Sequence, residues 1–178
     1  GHSALSNMTS ATTSDTYNTA VGFYAGQAIT SGIRNTLIGG LAGDALTTGT
    51  DNVAIGYGAL STEDANGFNT AIGTSALQTL NAGADAYNVA VGYQAGVLMT
   101  TGTANTIIGG LAGDALTTGD ANIAIGHSAL SAEDEGNSSV AIGYQALLNQ
   151  NVDGEVHNVA IGRAAGKEIT TGTNNVIV

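Results

Sequence analysis

One pattern of polar and apolar positions recurs along most of the chain. It reads Asn, a β-branched residue, a small residue, an aliphatic residue, Gly, two variable residues and Ala, and we number these positions from the Asn as position 1. The pattern begins ten times, 17 residues apart except that every fourth step is 19. Four steps make 70 residues, so the segments 35–49 and 105–119 are copies that differ at one position. A repeat with this period predicts a solenoid of stacked coils.

The first four positions predict a short β-strand. Side chains two apart on a strand share a face, so positions 2 and 4 form one apolar face and the mostly Ala position 3 forms the other. Because both faces are apolar or small, we expect a strand covered on both sides, with position 4 in the core. The predicted core column is Val21, Ile38, Ile55, Ile72, Val91, Ile108, Ile125, Ile142, Ile161 and Ile177.

The positions after the strand predict a turn and a filled interior. Position 5 is Gly in each of the nine complete repeats, which indicates positive φ or close backbone approach. Position 8 is always Ala, and a large apolar side chain then follows at position 9 or at position 12. Where Leu occupies position 9, position 12 is polar in three repeats, at Glu63, Glu133 and Gln150. We interpret this exchange as one filling side chain per coil.

A single repeat has too few apolar side chains to offset the entropy lost when its backbone is ordered, so the coils must stack. We predict an all-β fold, a parallel β-roll or β-solenoid of about ten 17-residue turns, 19 in every fourth, with room for a short helical turn per repeat. The Asn side chains are expected to form one stacked structural row. That row is Asn18, Asn35, Asn52, Asn69, Asn88, Asn105, Asn122, Asn158 and Asn175, with Ser139 replacing the remaining Asn.

The repeat also divides the chain. Residues 1–17 are interpreted as the remnant of a cloning tag and a lead-in, and 18–178 as the repeat domain. Within that domain, 18–87 and 88–157 are four-repeat blocks and 158–178 is a partial third block. Because the last residues stop within a repeat, we expect a fragment of a longer protein.

Composition excludes several classes of partner. The formal net charge is −11, from 14 acidic and three basic side chains, which argues against nucleic acid and anionic membranes. There is no Cys for disulfides, and no apolar run approaches the ~20 residues that span a bilayer, so we expect no membrane insertion by this chain. We expect no cofactor and no metal site.

Candidate chemistry is sparse. His127 and His157 stand in different columns, so we predict no catalytic residues, and the acidic runs at 63–64 and 133–135 are interpreted as solvated loop charges. Tyr17, Tyr87 and His157 each precede a repeat start, four repeats apart. These three rings are candidates for stacking on a ligand, and the alternative is a bulge that shields the strand edge.

The runs NTAVG, NVAIG, NTAIG, NVAVG and NIAIG resemble the head repeats of YadA-like trimeric autotransporter adhesins and of phage tail-fibre proteins. The resemblance implies a homotrimer of β-rolls about a central axis. It also implies a non-enzymatic structural or adhesive fibre segment, extracellular on a cell surface or a virion, with a cell-surface glycan or protein as receptor. Three alternatives stay open: a glycan- or matrix-binding module using its lateral surface, an ice-binding solenoid, and a tailspike-like polysaccharide-degrading enzyme.

Overall fold

The chain forms an all-β parallel β-solenoid, in a computed structural model that describes residues 1–8 and 15–178. Each coil contributes one short strand to a ten-stranded parallel sheet in which consecutive repeats are neighbours. The register follows the repeat, since Thr19 faces Thr36 and Val89 faces Thr106. The predicted parallel solenoid and its coil spacing are therefore confirmed.

The main sheet and a small second sheet contain all the strands of the described residues. The strands in chain order are β1 (Thr19–Val21), β2 (Thr36–Ile38), β3 (Val53–Ile55), β4 (Thr70–Ile72), β5 (Val89–Val91), β6 (Thr106–Ile108), β7 (Ile123–Ile125), β8 (Gly136–Asn137), β9 (Val140–Ile142), β10 (Gly154–Glu155), β11 (Val159–Ile161) and β12 (Val176–Ile177). The two-residue strands β8 and β10 pair with each other in parallel, and the other ten form the main sheet.

The strands turn position 3 inward and positions 2 and 4 outward. Leu37, Ala54 and Ile107 at position 3 are fully buried, whereas Val21 at position 4 exposes 57% of its surface. The prediction that position 4 forms the core is therefore wrong for the single chain. The space inside a coil accommodates Ala in most repeats, and the alternation of a strand then places the larger β-branched pair outside.

The predicted core column consequently lies on the outward face of the sheet. It comprises Val21, Ile38, Ile55, Ile72, Val91, Ile108, Ile125, Ile142 and Ile161, each half-buried or exposed. Ile177 was assigned to the same column, but it faces Ala160 across the sheet and so belongs to the inward position 3. Val178 ends the outward column instead.

The interior is filled from positions 3, 8, 9 and 12. Leu60 and Leu130 at position 9 are fully buried, and so are Glu63 and Glu133 at position 12 of the same coils. The prediction of one filling side chain per coil therefore holds where position 9 is Gly, but it is wrong where position 9 is Leu, because the residue at position 12 is buried there as well.

Left-handed backbone closes each coil at three positions. Position 7, position 9 and the last position before the next Asn have φ between 49° and 63° in the described repeats, and the residues there include Leu, Gln, Tyr and Arg. A helix requires consecutive right-handed residues, so these positions replace the predicted helical turn by a series of turns. Among the described residues there is no helix, and hence none with the length and apolarity to cross a membrane.

Residues 1–8 belong to the solenoid, which corrects the interpretation of this part of 1–17 as a tag remnant and lead-in. Residues 9–14 of the same predicted segment lie outside the described residues. The segment 1–6 has the same sequence as 126–131, and it occupies the same part of a coil. Leu5 N–H donates to the Ala25 carbonyl at 3.1 Å, and Tyr24 N–H donates to the His2 carbonyl at 2.9 Å. Leu5 and Met8 pack against the core. The repeat domain therefore begins before residue 18.

The Gly at position 5 is required by both its conformation and its surroundings. At Gly109 φ is 133°, and an added Cβ would lie 2.6 Å from the carbonyl oxygen of Gly126 in the next coil. We expect Gly109→Ala to lower the free energy of unfolding by on the order of 3 kcal/mol. Thermal and urea unfolding followed by circular dichroism would measure the loss.

Gly83 offers the matched control, since it also has positive φ, 71°, but no heavy atom lies within 4 Å of an added Cβ. Gly83→Ala should cost only the left-handed strain of about 1–2 kcal/mol. Equal unfolding midpoints for the two variants would contradict the role assigned to the contact between coils.

Candidate functional surfaces

The Asn side chains form one buried row that joins consecutive coils. Asn105 is typical: its Oδ1 accepts from the Asn122 N–H at 2.8 Å, and its Nδ2 donates to the Gly119 carbonyl at 2.8 Å. The Nδ2 also lies 3.3 Å from Asn88 Oδ1 in the preceding coil. Most amides of the row thus satisfy a backbone group of their own coil and one of the next, whereas Asn69 Nδ2 donates to the Gly67 carbonyl of the preceding coil at 3.2 Å. The row holds the rod together rather than facing a ligand.

The row continues where Ser139 replaces Asn. Gln150 reaches inward from position 12 of the same coil, and its Nε2 donates to Ser139 Oγ at 3.0 Å. Its Oε1 accepts from Asn158 Nδ2 at 2.7 Å, so the longer amide takes the place of the missing one. The polar residue at position 12 is the sequence signal that could have indicated this substitution.

Glu63 and Glu133 are fully buried, which corrects their interpretation as solvated loop charges. In other coils the position-13 N–H donates to the position-13 carbonyl of the next coil, as Thr100 does to Thr117 at 2.8 Å. Both Glu residues stand just before a 19-residue coil, where the two extra residues disturb this ladder. Their carboxylates supply the acceptors that the ladder lacks.

The backbone N–H partners of the two carboxylates occupy equivalent places in the two blocks. Glu63 Oε1 accepts from the Asn66 N–H at 3.2 Å, and its Oε2 accepts from the Ala82 N–H at 3.3 Å. Glu133 Oε1 accepts from the Gly136 N–H at 2.9 Å and from the Val152 N–H at 3.2 Å. Gln150 Nε2 donates to Glu133 Oε2 at 2.8 Å. A Glu at position 12 therefore anchors each two-residue insertion.

The outward face, defined by positions 2 and 4 of all repeats, is a continuous uncharged surface of β-branched side chains. Position 4 is Val or Ile throughout, and position 2 is Thr, Val or Ile. Of the exposed large apolar side chains in the described residues, all but Leu98 lie at positions 2, 4 and 6 or at the last position of a coil. None of the 14 acidic residues stands at positions 2, 4 or 6. The acidic charge is thus kept off this face.

The last positions of successive coils form an edge row beside the outward face. Tyr17, Tyr87 and His157, the predicted stacking residues, are exposed members of this row, four coils apart. The ring of Tyr87 stacks on Phe68, with centroids 5.0 Å apart and planes within 10°. The Tyr17 hydroxyl donates to Asp15 Oδ2 at 3.0 Å. The three rings are therefore not equivalent platforms.

Sequence reasoning missed the residues between these rings. Arg34 and Asp51 occupy adjacent places in the row, and the guanidinium binds the carboxylate through two hydrogen bonds of 2.7 and 2.6 Å. This hydrogen bonding from Arg34 lowers the pKa of Asp51 below its ordinary value. Their spacing of 17 residues, with Phe68 a further 17 along, was the available signal.

Position 6 forms a second aromatic column, after the strands. His127 and Tyr144 stack with centroids 5.8 Å apart, and the Arg163 guanidinium lies 5.6 Å from the Tyr144 ring centre. The Tyr57 ring lies against Gly40 of the preceding coil. These rings pack on neighbouring rings, a cation or a Gly, so part of each is engaged within the chain.

His157 lies in a polar group near the second insertion. Its Nε2 is 3.2 Å from Glu155 Oε2, and the same oxygen accepts from Ser138 Oγ at 3.3 Å. The carboxylate lies between the hydroxyl and the imidazole, so this arrangement gives the imidazole no path to the Ser proton. Within 1–8 and 15–178 there is no group of three or more His, Asp or Glu side chains placed to hold a metal ion.

The fold and these surfaces define a β-solenoid repeat protein. Comparisons with protein families, with curated proteins and with solved structures found no match.

Removal of one amide from the Asn row should weaken the attachment between two consecutive coils. We expect Asn105→Ala to lower the free energy of unfolding by about 2–5 kcal/mol, because the Asn122 N–H and the Gly119 carbonyl lose their buried partners. The control is Asn174→Ala, at an exposed last position where Ala104 has the same φ of 58°. Hydrogen exchange should show faster exchange around 119–122 in Asn105→Ala alone, and unchanged protection there would contradict the assigned role.

The insertion anchor can be tested in the same way. Glu133→Leu introduces an apolar side chain like that of Leu116 one coil earlier, but it leaves the Gly136 and Val152 N–H groups without acceptors. We expect a loss of about 2–4 kcal/mol in urea unfolding. Met99→Leu, at the same position of a 17-residue coil, should change stability by less than about 1.5 kcal/mol. Similar losses for both variants would show that only volume matters at position 12.

Proposed function

We propose that this protein is a structural and adhesive fibre segment, a rigid trimeric rod of a surface adhesin or a phage-type tail fibre. The observation that carries the proposal is the outward face. Its Val and Ile column stays half-buried or exposed along the whole main sheet, although the interior of each coil is already filled. A continuous apolar column of this kind is typical of a site where protein chains associate.

The charge distribution supports association of the chain with itself. A net charge of −11 per chain opposes oligomerisation, yet positions 2, 4 and 6 carry no acidic residue. In the adjoining edge row Asp51 is paired with Arg34. Three copies can therefore bring their outward faces together without placing an unpaired carboxylate between them.

The shape of the coil stack supports a spacer role. Ten strands at about 4.8 Å per strand make a rod roughly 45 Å long. Each coil is fastened to the next by sheet hydrogen bonds and by the Asn row, so the rod resists bending without a wide core. Such a segment holds a receptor-binding surface away from a cell or a virion by geometry alone, and it requires no catalytic residue.

Three chains are favoured by the resemblance of the repeats to those of YadA-like adhesins and tail fibres, and an extracellular location follows from the same resemblance. A second function, ligand binding on the rod's own lateral surface, is supported by the stacked and exposed Phe68–Tyr87 pair.

Analytical ultracentrifugation of the full chain tests the proposal. We expect a particle of three times the 17.5 kDa chain mass, with a frictional ratio typical of a rod. Ile108→Glu should convert it to monomers, because position 4 can turn the new carboxylate to water in one chain but buries three like charges in the trimer. Circular dichroism should show that the monomeric variant keeps its β-structure.

Leu98→Glu is the matched control. Leu98 is half-exposed like Ile108, but it stands at position 11, where Glu168 occupies the equivalent place of another coil. This variant should remain trimeric. A monomeric wild-type chain at micromolar concentration, or loss of trimers in the control as well, would overturn the proposal.

A further inference from the structure

We propose that the first-block edge row, Tyr17, Arg34, Asp51, Phe68 and Tyr87, binds an uncharged, extended β-linked oligosaccharide. The proposal names the ligand class of the adhesive role and rests on that part of the proposed function. Trimer formation does not depend on it, so the two can fail separately.

The two blocks of the chain provide an internal comparison. The places of Arg34, Asp51 and Phe68 are taken in the second block by Ala104, Ala121 and Ser138. The backbone is the same, because φ lies between 56° and 62° at all six residues. The fold therefore requires only a left-handed corner, which Ala and Ser satisfy.

The contrast is sharper because the rest of the blocks is so similar. The segments 35–49 and 105–119, next to these corners, differ only by Leu37 and Ile107. Neither the core nor the sheet of the first block therefore explains the large side chains at its edge. A role at the surface explains this placement.

The geometry of the row provides aromatic faces at both ends and polar groups between them. The stack of Phe68 on Tyr87 covers one face of each ring, and the neighbour on the other side of Tyr87 is Ala104, which is too small to cover that ring. Tyr17 and Tyr87 expose 71% and 58% of their surfaces. Four coil steps separate them, about 19 Å along the rod.

Arg34 and Asp51 complete the row with directional hydrogen-bonding groups. Their two mutual hydrogen bonds hold both planar groups in place and use only part of the guanidinium donors and of the carboxylate lone pairs. The combination of an apolar ring face with fixed polar groups suits a pyranose, which has a C–H face for stacking and vicinal hydroxyls at its edge.

The charge of the row and the spacing of its residues restrict the class of oligosaccharide further. The ion pair is neutral within a chain of net charge −11, which disfavours sugars that carry carboxylates or sulfates. The row advances by about 4.8 Å per coil, which is close to the rise of one sugar in an extended β-1,4-linked chain. An α-1,4-linked chain curves and cannot follow the row.

The test is isothermal titration of the 178-residue chain in its native assembly with cellohexaose and fully N-acetylated chitohexaose, with maltohexaose as the linkage control. We expect binding of at least one β-linked hexamer and none of maltohexaose. A row-swap variant, Arg34→Ala with Asp51→Ala and Phe68→Ser, carries the residues that the second block already folds with, and it should weaken binding at least about tenfold.

Tyr93→Thr is the matched control, since it removes an exposed ring from position 6, where Thr74 stands in the preceding coil. Its affinity should equal that of the wild type. No binding of either β-linked hexamer by an intact trimer would overturn the oligosaccharide proposal and leave the fibre proposal standing. If the row-swap variant loses the trimer and the wild-type chain binds none of the sugars, the row would instead be assigned to contact between chains.

Discussion

The rest of the structure depends on hydrogen bonds that run from each coil to the next. The turns of a 17-residue coil contain a few hydrogen bonds of their own, such as that from the Leu46 N–H to the Gly43 carbonyl at 3.2 Å. Its strand groups, however, are satisfied by neighbouring coils through the parallel sheet, and the Asn row adds bonds both within a coil and between coils. Asn105 illustrates the constraint, because its single amide serves the Asn122 N–H and the Gly119 carbonyl at once. Gly109 and its equivalents follow from the same constraint, since their backbone lies too close to the next coil for a Cβ. The repeat is strict where coils touch and variable where they meet solvent.

Irregular coils show how the constraint is met when the period changes. The two extra residues of each 19-residue coil displace part of the backbone ladder, and a buried carboxylate, Glu63 or Glu133, accepts the N–H groups left over. Burial of a carboxylate without a cation is expensive unless several donors surround it, and here backbone donors do so. The insertions are thus integral to the rod. They also bring Ser138, Glu155 and His157 together at the surface of the second block.

The same architecture separates stability from function. Interior positions fix the rod, while positions 2, 4 and 6 and the edge row are free to vary in chemistry without disturbing the core. This freedom explains how the first block can carry Arg34, Asp51 and Phe68 at corners where the second block has Ala and Ser. The proposed trimer uses the outward strand face, which is alike in both blocks, and the proposed oligosaccharide site uses the edge on which the blocks differ. One surface is repeated and suits assembly, whereas the other is local and suits recognition.

The features that repeat along the chain are those that could be predicted from the sequence. The period of 17, the strands, the position-5 Gly and the stacking of Asn side chains were determined by the sequence itself, because a column of identical residues has one simple explanation in stacked coils. The direction of each strand face was not determined by the sequence, since the residues at positions 2, 3 and 4 are all β-branched, apolar or small. Only the closed coil decides that Ala54 points in and Ile55 points out. The left-handed corners were hidden for a similar reason, as Leu, Gln and Tyr are not residues that signal positive φ. Tertiary structure alone placed Glu63 inside and Phe68 against Tyr87, because both depend on which side chains of neighbouring coils come within reach of one another.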